Sequence, residues 1–157
     1  MKKRIFTIIG IAKTGKTETI RRVYGMIKKC HRIDKKEHVI GSSCINDRGD
    51  FRRVITIDGV KIGIESQGDP GNRSRIFESL KLFSRIKCDI IVCATRTRGK
   101  TLDAVRSYQA TYDIKTRTSE RIDGNDKRNM ASVKMAKAIY VEIKNLITSY
   151  KSFNHSS

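Results

Sequence analysis

Short β-rich runs alternating with helical patterns predict an α/β fold: a three-layer, mostly parallel sheet with an antiparallel hairpin at about 54–64. Three observations carry this. An apolar run, Arg4 to Ile9, passes through a glycine loop directly into an amphipathic helical pattern. Two β-branched runs flank Asp58-Gly59, and the continuous apolar run Asp89 to Cys93 leads into a further helical pattern. At 157 residues and 17.9 kDa the chain holds one sizeable core and is too short for two. With no low-complexity segment to divide it, residues 1–151 are read as one domain and 152–157 as a flexible tail.

The elements follow in order. Arg4 to Ile9 is the first strand. From Thr17 to about Cys30, Ile20, Val23, Tyr24 and Ile27 recur at spacings of three and four, so one helical face seeks a core. Val39-Ile40 is a short strand, and Val54 to Ile57 pairs with Val60 to Ile64 through Asp58-Gly59, whose residues tolerate positive φ. Asp69-Pro70 starts a helix, roughly Asn72 to Lys87, with a carboxylate cap and a proline whose missing N–H costs nothing in the first turn. That helix is expected to bury Ile76, Phe77, Leu80 and Phe83. Asp89 to Cys93 is a buried strand, Thr101 to Ala110 a helix, and Tyr112 to Thr118 a strand. The last helix, about Lys127 to Tyr150, carries Val133, Ala136, Tyr140, Ile143 and Ile147 along one face.

Between the first strand and first helix stands Gly10-Ile11-Ala12-Lys13-Thr14-Gly15-Lys16-Thr17, which fits G-x-x-x-x-G-K-[ST] in the strand-to-helix setting that pattern requires. Backbone N–H groups of such a loop converge on an anion, and the helix N-terminus adds its positive dipole end. At these residues the chain resembles the P-loop NTPase superfamily, strongly over the first 30 residues and elsewhere only in its βα alternation. The resemblance implies binding of a nucleoside triphosphate by this Walker A loop. Lys16 would reach the β- and γ-phosphates, and the Thr17 hydroxyl would be a Mg²⁺ ligand. Lys13 departs from the common pattern, and either touches phosphate or faces solvent.

The superfamily also places an acid at the end of a buried strand to hold Mg²⁺. Here Glu65 follows the apolar run Val60 to Ile64, and Glu65-Ser66-Gln67-Gly68 looks like a GTPase D-x-x-G element with glutamate for aspartate. Glu65 is therefore expected to be a catalytic and metal-holding acid at the carboxyl edge of the sheet. Gly68 is a possible N–H donor to a γ-phosphate and Gln67 a candidate for orienting water. Asp69 and Asp58 are the rival acids, better explained as a helix cap and a hairpin turn. A looser second match, Ala94-Thr95-Arg96-Thr97-Arg98-Gly99-Lys100-Thr101, lacks the first glycine. Arg96, Arg98 and Lys100 are expected to form a basic loop that touches the triphosphate or a phosphorylated substrate, as lids of small kinases do, with Arg96 or Arg98 assisting in the transition state; a second phosphate site and a solvated basic turn are the alternatives. No N-K-x-D tetrapeptide follows Cys93, so guanine loses its support and ATP is preferred to GTP by elimination.

The formal charge of +18 and pI near 10.1 favour phosphate-rich partners. Residues 1 to 36 hold twelve lysines and arginines against Glu18 and Asp34. On the first helix and its exit, Arg21, Arg22, Lys28, Lys29, Arg32, Lys35 and Lys36 form either a nucleic-acid interface or a solvated face. His31 and His38 are too few for a metal site. The four cysteines lack CxxC spacing, no run of 18 apolar residues occurs, and the first ten residues read as a buried strand, not a signal. A cytoplasmic protein is expected, with no membrane partner and an oligomeric state the sequence leaves open. Its expected activity is Mg-dependent NTP hydrolysis or phosphoryl transfer. The alternatives are a small nucleotide or metabolite kinase, or a nucleotide-switched nucleic-acid-binding module without catalysis.

Overall fold

A computed structural model of the chain describes residues 2–11, 14–34, 38–39, 50–67 and 75–156. Its elements, in order, are β1 (Lys3–Ile9), α1 (Lys16–Cys30), β2 (His38–Val39), β3 (Arg52–Ile57), β4 (Val60–Glu65), α2 (Arg75–Arg85), β5 (Ile90–Thr95), α3 (Lys100–Arg106), β6 (Tyr112–Thr118) and α4 (Asn125–His155). They form an α/β fold on one mixed sheet of order β2-β3-β4-β5-β1-β6, in which β2 is only two residues long. The pairs β4/β5, β5/β1 and β1/β6 are parallel, while β3 runs antiparallel to both β2 and β4. The β3/β4 hairpin turns on Asp58 and Gly59, both at positive φ (48° and 81°), which matches the right-handed twist of the strands.

Alternation along the strands sorts the core onto two faces. Phe6, Ile8, Ile62, Ile64, Val92 and Ala94 pack with α1 and α4, whereas Ile5, Ile91 and Cys93 pack with α2 and α3. Helices thus cover both faces, and the central strands β1 and β5 are apolar almost throughout because neither side meets water. Gly63 lies where a side chain has no room: a Cβ there would come within 2.6 Å of the fully buried Phe83 ring. Gly63→Ala is expected to cost ~1–3 kcal/mol by overpacking. A thermal melt checks it, and an unchanged midpoint would contradict the packing.

Three expectations are corrected. Phe77 is 40% exposed, and its place on the inner face of α2 is taken by Ser79, whose hydroxyl donates to Glu65. The predicted helix Thr101 to Ala110 ends at Arg106 and continues as turns. Finally, α4 continues through the expected tail to His155. Ser152 and Ser156 donate their hydroxyls to carbonyls four residues back, and His155 Nδ1 lies 2.8 Å from the Lys151 carbonyl oxygen. The proposed start of α2 at Asp69-Pro70, together with Ala12, Lys13, Ile40, Cys44 and Gly68, lies outside the described residues.

Candidate functional site

The site starts from β1. Its last residue Ile9 is level with Thr95 of β5 and Thr118 of β6, so the loops after all three strands leave the same carboxyl edge. The glycine loop is tied on both sides. Gly10 N–H donates to the Thr95 carbonyl (3.2 Å), Ser119 N–H donates to the Ile9 carbonyl (2.7 Å), and the Ser119 hydroxyl donates to the Thr14 carbonyl (2.8 Å). Gly10 is required by that closeness, since a Cβ would lie 2.7 Å from the Ser119 carbonyl oxygen and 2.8 Å from the Thr14 hydroxyl.

Gly15 is the N-cap of α1 and sits at φ 88°, the left-handed region a side chain disfavours. It supplies no side-chain cap to the N–H groups of the first turn, which a helix leaves without intrahelical partners. Lys16 is buried, and its ammonium donates to the carbonyls of Gly10 (2.8 Å) and Ile11 (2.6 Å), placing a positive charge inside the loop. Ile11 is exposed, Thr14 is buried, and the Thr14 hydroxyl donates to the Ile11 carbonyl (3.1 Å).

Thr17 follows on the first turn of α1. Its hydroxyl lies 3.3 Å from both Asp50 Oδ1 and the Ser66 carbonyl oxygen, and the Ser66 hydroxyl donates to the same Asp50 oxygen (3.1 Å). Sequence reasoning passed over Asp50 and Ser66, although a signal was present. The two-residue turn at Asp58-Gly59 fixes the hairpin register, and counting back from it places Phe51 opposite Ser66. That juxtaposition is made by Ser66 N–H to the Phe51 carbonyl (3.0 Å) and Phe51 N–H to the Ser66 hydroxyl (2.7 Å).

Glu65 is not brought to Thr17. It is fully buried on the sheet face that carries α2, opposite the face that carries α1. Its Oε1 accepts from Arg75 Nε (2.7 Å) and the Ser79 hydroxyl (2.7 Å) and lies 3.5 Å from Arg52 Nε, while Oε2 accepts the Gln67 N–H (3.3 Å). Nearby Cys93 has its thiol pushed up to about 12, chiefly by burial and against a hydrogen bond from Thr7. A thiol held neutral is no nucleophile. Gln67 is buried, its Oε1 without a hydrogen-bond partner among the described residues, and Asp58 on the hairpin turn pairs with Lys151 of α4 at 3.6 Å. Asp69 lies outside the described residues.

The loop after β5 reaches the same edge as the glycine loop, with Arg96 half-buried and Arg98 exposed. It spans only Arg96 to Gly99, because Ala94 and Thr95 belong to β5, and the Thr101 hydroxyl on the first turn of α3 accepts the Arg96 N–H (3.1 Å). On the other side of the glycine loop a cleft of about 600 Å³ opens between the segment after β6 and α4, lined among others by Thr14, Thr118, Ser119, Ser132 and Met135. His31 is held by Tyr140, with 3.0 Å between Nε2 and the phenol oxygen. Among the described residues, no helix is long and apolar enough to cross a membrane, and no group of three or more His, Cys, Asp or Glu side chains could hold a metal ion. Comparison with protein-family models, with curated proteins and with solved structures finds no match to this chain.

Proposed function

We propose that the chain is a P-loop nucleoside-triphosphate-binding protein, with ATP as ligand and Mg-dependent hydrolysis or phosphoryl transfer as its activity. The observation that carries this is Lys16, a buried ammonium held inside a glycine loop at the uncapped N-terminus of α1. Phosphate oxygens would replace the Gly10 and Ile11 carbonyls as partners of Lys16 and accept from the first-turn N–H groups of α1. The adjoining cleft has the volume of a small-molecule site and would receive the nucleoside end.

Oxygen donors at Thr17, with a carboxylate at 3.3 Å, suit Mg²⁺, which takes one or two carboxylates plus substrate phosphates. Bound there, Mg²⁺ would neutralise charge on the phosphates. Lys16 would stabilise the charge that develops as the γ-phosphorus leaves the β-phosphate oxygen for water or an acceptor hydroxyl, and Arg96 or Arg98 would assist from the neighbouring loop. The test is a thermal-shift comparison with Mg-ATP, Mg-GTP and no ligand. A ligand specific to the native state must raise its stability, so no shift at millimolar nucleotide would overturn the proposal. Radiolabelled ATP with a panel of nucleosides and monophosphates then separates hydrolysis from a small kinase.

A second reading, nucleic-acid binding without catalysis, is favoured by one observation. Arg22 of α1 and Lys134 and Lys137 of α4 rim a groove of about 520 Å³ along Met130 and Val133, so the basic first helix has a basic neighbour. On this reading a labelled oligonucleotide binds with a steep salt dependence, and equally well to Lys16→Ala. Absence of binding at low salt would remove it.

A further inference from the structure

We infer that Asp50, not Glu65, is the carboxylate of the Mg²⁺ site at Thr17, and that Glu65 is a positioning residue that ties α2 to β4. This rests on the nucleotide-binding proposal above. Successive side chains of a strand point to opposite faces, so Glu65 shares the α2 face with Gly63, and Ser66 shares the α1 face with Ile64. The glycine loop and Thr17 belong to α1. A carboxylate at 65 would have to cross the sheet to reach that hydroxyl.

Its partners complete the case. Glu65 is buried with Oε1 committed to Arg75, Arg52 and the Ser79 hydroxyl and Oε2 to the Gln67 N–H, and Glu78, 3.8 Å from Arg52, balances the second guanidinium, so a metal would have to displace a set of partners that already satisfies the carboxylate. Asp50 instead meets hydroxyls, Thr17 at 3.3 Å and Ser66 at 3.1 Å, and it is exposed where a metal with its waters can arrive. Ser66 orients Asp50 through its hydroxyl and presents its carbonyl to Thr17, so one residue of β4's exit fixes both donors.

The test measures affinity, not turnover. A fluorescent ATP analogue is titrated into wild type, Asp50→Asn and Glu65→Gln, each with Mg²⁺ and with EDTA. Mn²⁺ electron paramagnetic resonance of the nucleotide complexes of wild type and Asp50→Asn reports the metal directly. The expected result is that Mg²⁺ tightens binding to wild type at least tenfold and that Asp50→Asn loses this gain while its affinity in EDTA is kept. The Mn²⁺ signal of Asp50→Asn then differs from that of wild type. Glu65→Gln, shown folded by its melt, keeps the Mg²⁺ gain. If Asp50→Asn retains the full gain and the wild-type Mn²⁺ signal, the assignment is overturned. Loss of the gain in Glu65→Gln alone overturns it in favour of Glu65. Wild type that binds nucleotide equally with and without Mg²⁺ refutes the metal site while leaving nucleotide binding intact. Wild type that binds in neither condition refutes the nucleotide proposal itself, and this one with it.

Discussion

Lys16→Ala is expected to abolish nucleotide-dependent stabilisation while leaving the fold in place. At a nucleotide concentration one hundred times its Kd, wild type should gain about 2.7 kcal/mol. For a domain of this size that is roughly 5–10 °C in Tm. The variant should move by less than about 1 °C at the same concentration, because the ammonium is the charge that binds uniformly to the phosphates and strengthens as their charge develops. The loss in kcat, if the protein is catalytic, should be on the order of 10²–10³. Folding should survive because the loop keeps its other ties, from Ser119 to Ile9 and Thr14 and from Gly10 to Thr95. A Lys16→Ala variant stabilised by Mg-ATP as fully as wild type would leave the glycine loop without the assigned role.

Glu65→Ala should be the most destabilising single change at the sheet's carboxyl edge. The side chain is 0% exposed and joins Arg52, Arg75 and Ser79, so its removal leaves two cations and a hydroxyl without their shared acceptor. Removing one partner of a buried ion pair costs ~3–5 kcal/mol. Arg75 is one-third exposed and recovers some solvation, which puts the expectation at the lower end, about 3 kcal/mol. Urea or thermal unfolding measures it. A cost below about 1 kcal/mol would mean that the cluster contributes little and that Glu65 is spare for another role. Glu65→Gln should cost less, since an amide oxygen can still accept from Ser79 and Arg75.

The two experiments address different faces of the sheet. Loss of Lys16 alters ligand response with little change in stability, and loss of Glu65 does the reverse. Their contrast separates a binding loop on the α1 side from a structural cluster on the α2 side. It also gives Asp50→Asn a clean background, because that residue belongs to the first side and is exposed.

Much of the architecture was legible in the residues themselves. The apolar run before Gly10, the three-and-four spacing from Ile20 to Ile27 and the Asp58-Gly59 turn are local signals, written in neighbouring positions, and each element occurs where those signals stand. The glycine loop was legible for the same reason: the left-handed turn at Gly15 and the placement of Lys16 on the first turn follow from contiguous sequence, whereas the need for glycine at 10 comes from Ser119, far along the chain. The end of α4 was not, because side chains that bond back to the helix's own carbonyls depend on the helix already being there. Ser79, not Phe77, lies on the inner face of α2, where its hydroxyl meets Glu65, a contact that exists only once α2 lies on β4.

Residue order alone specifies an α/β chain with a glycine loop between its first strand and first helix, and it places an acid at the end of β4. Which acid meets Thr17 depends on how the strands pair. A strand's ending is a one-dimensional fact, but the face on which its last side chain points depends on the pleat, and the level it reaches depends on register with strands far away in the chain. Glu65 has the right address along the sequence and the wrong side of the sheet. Asp50 has no motif around it and is carried to Thr17 by the pairing of β3 with β4.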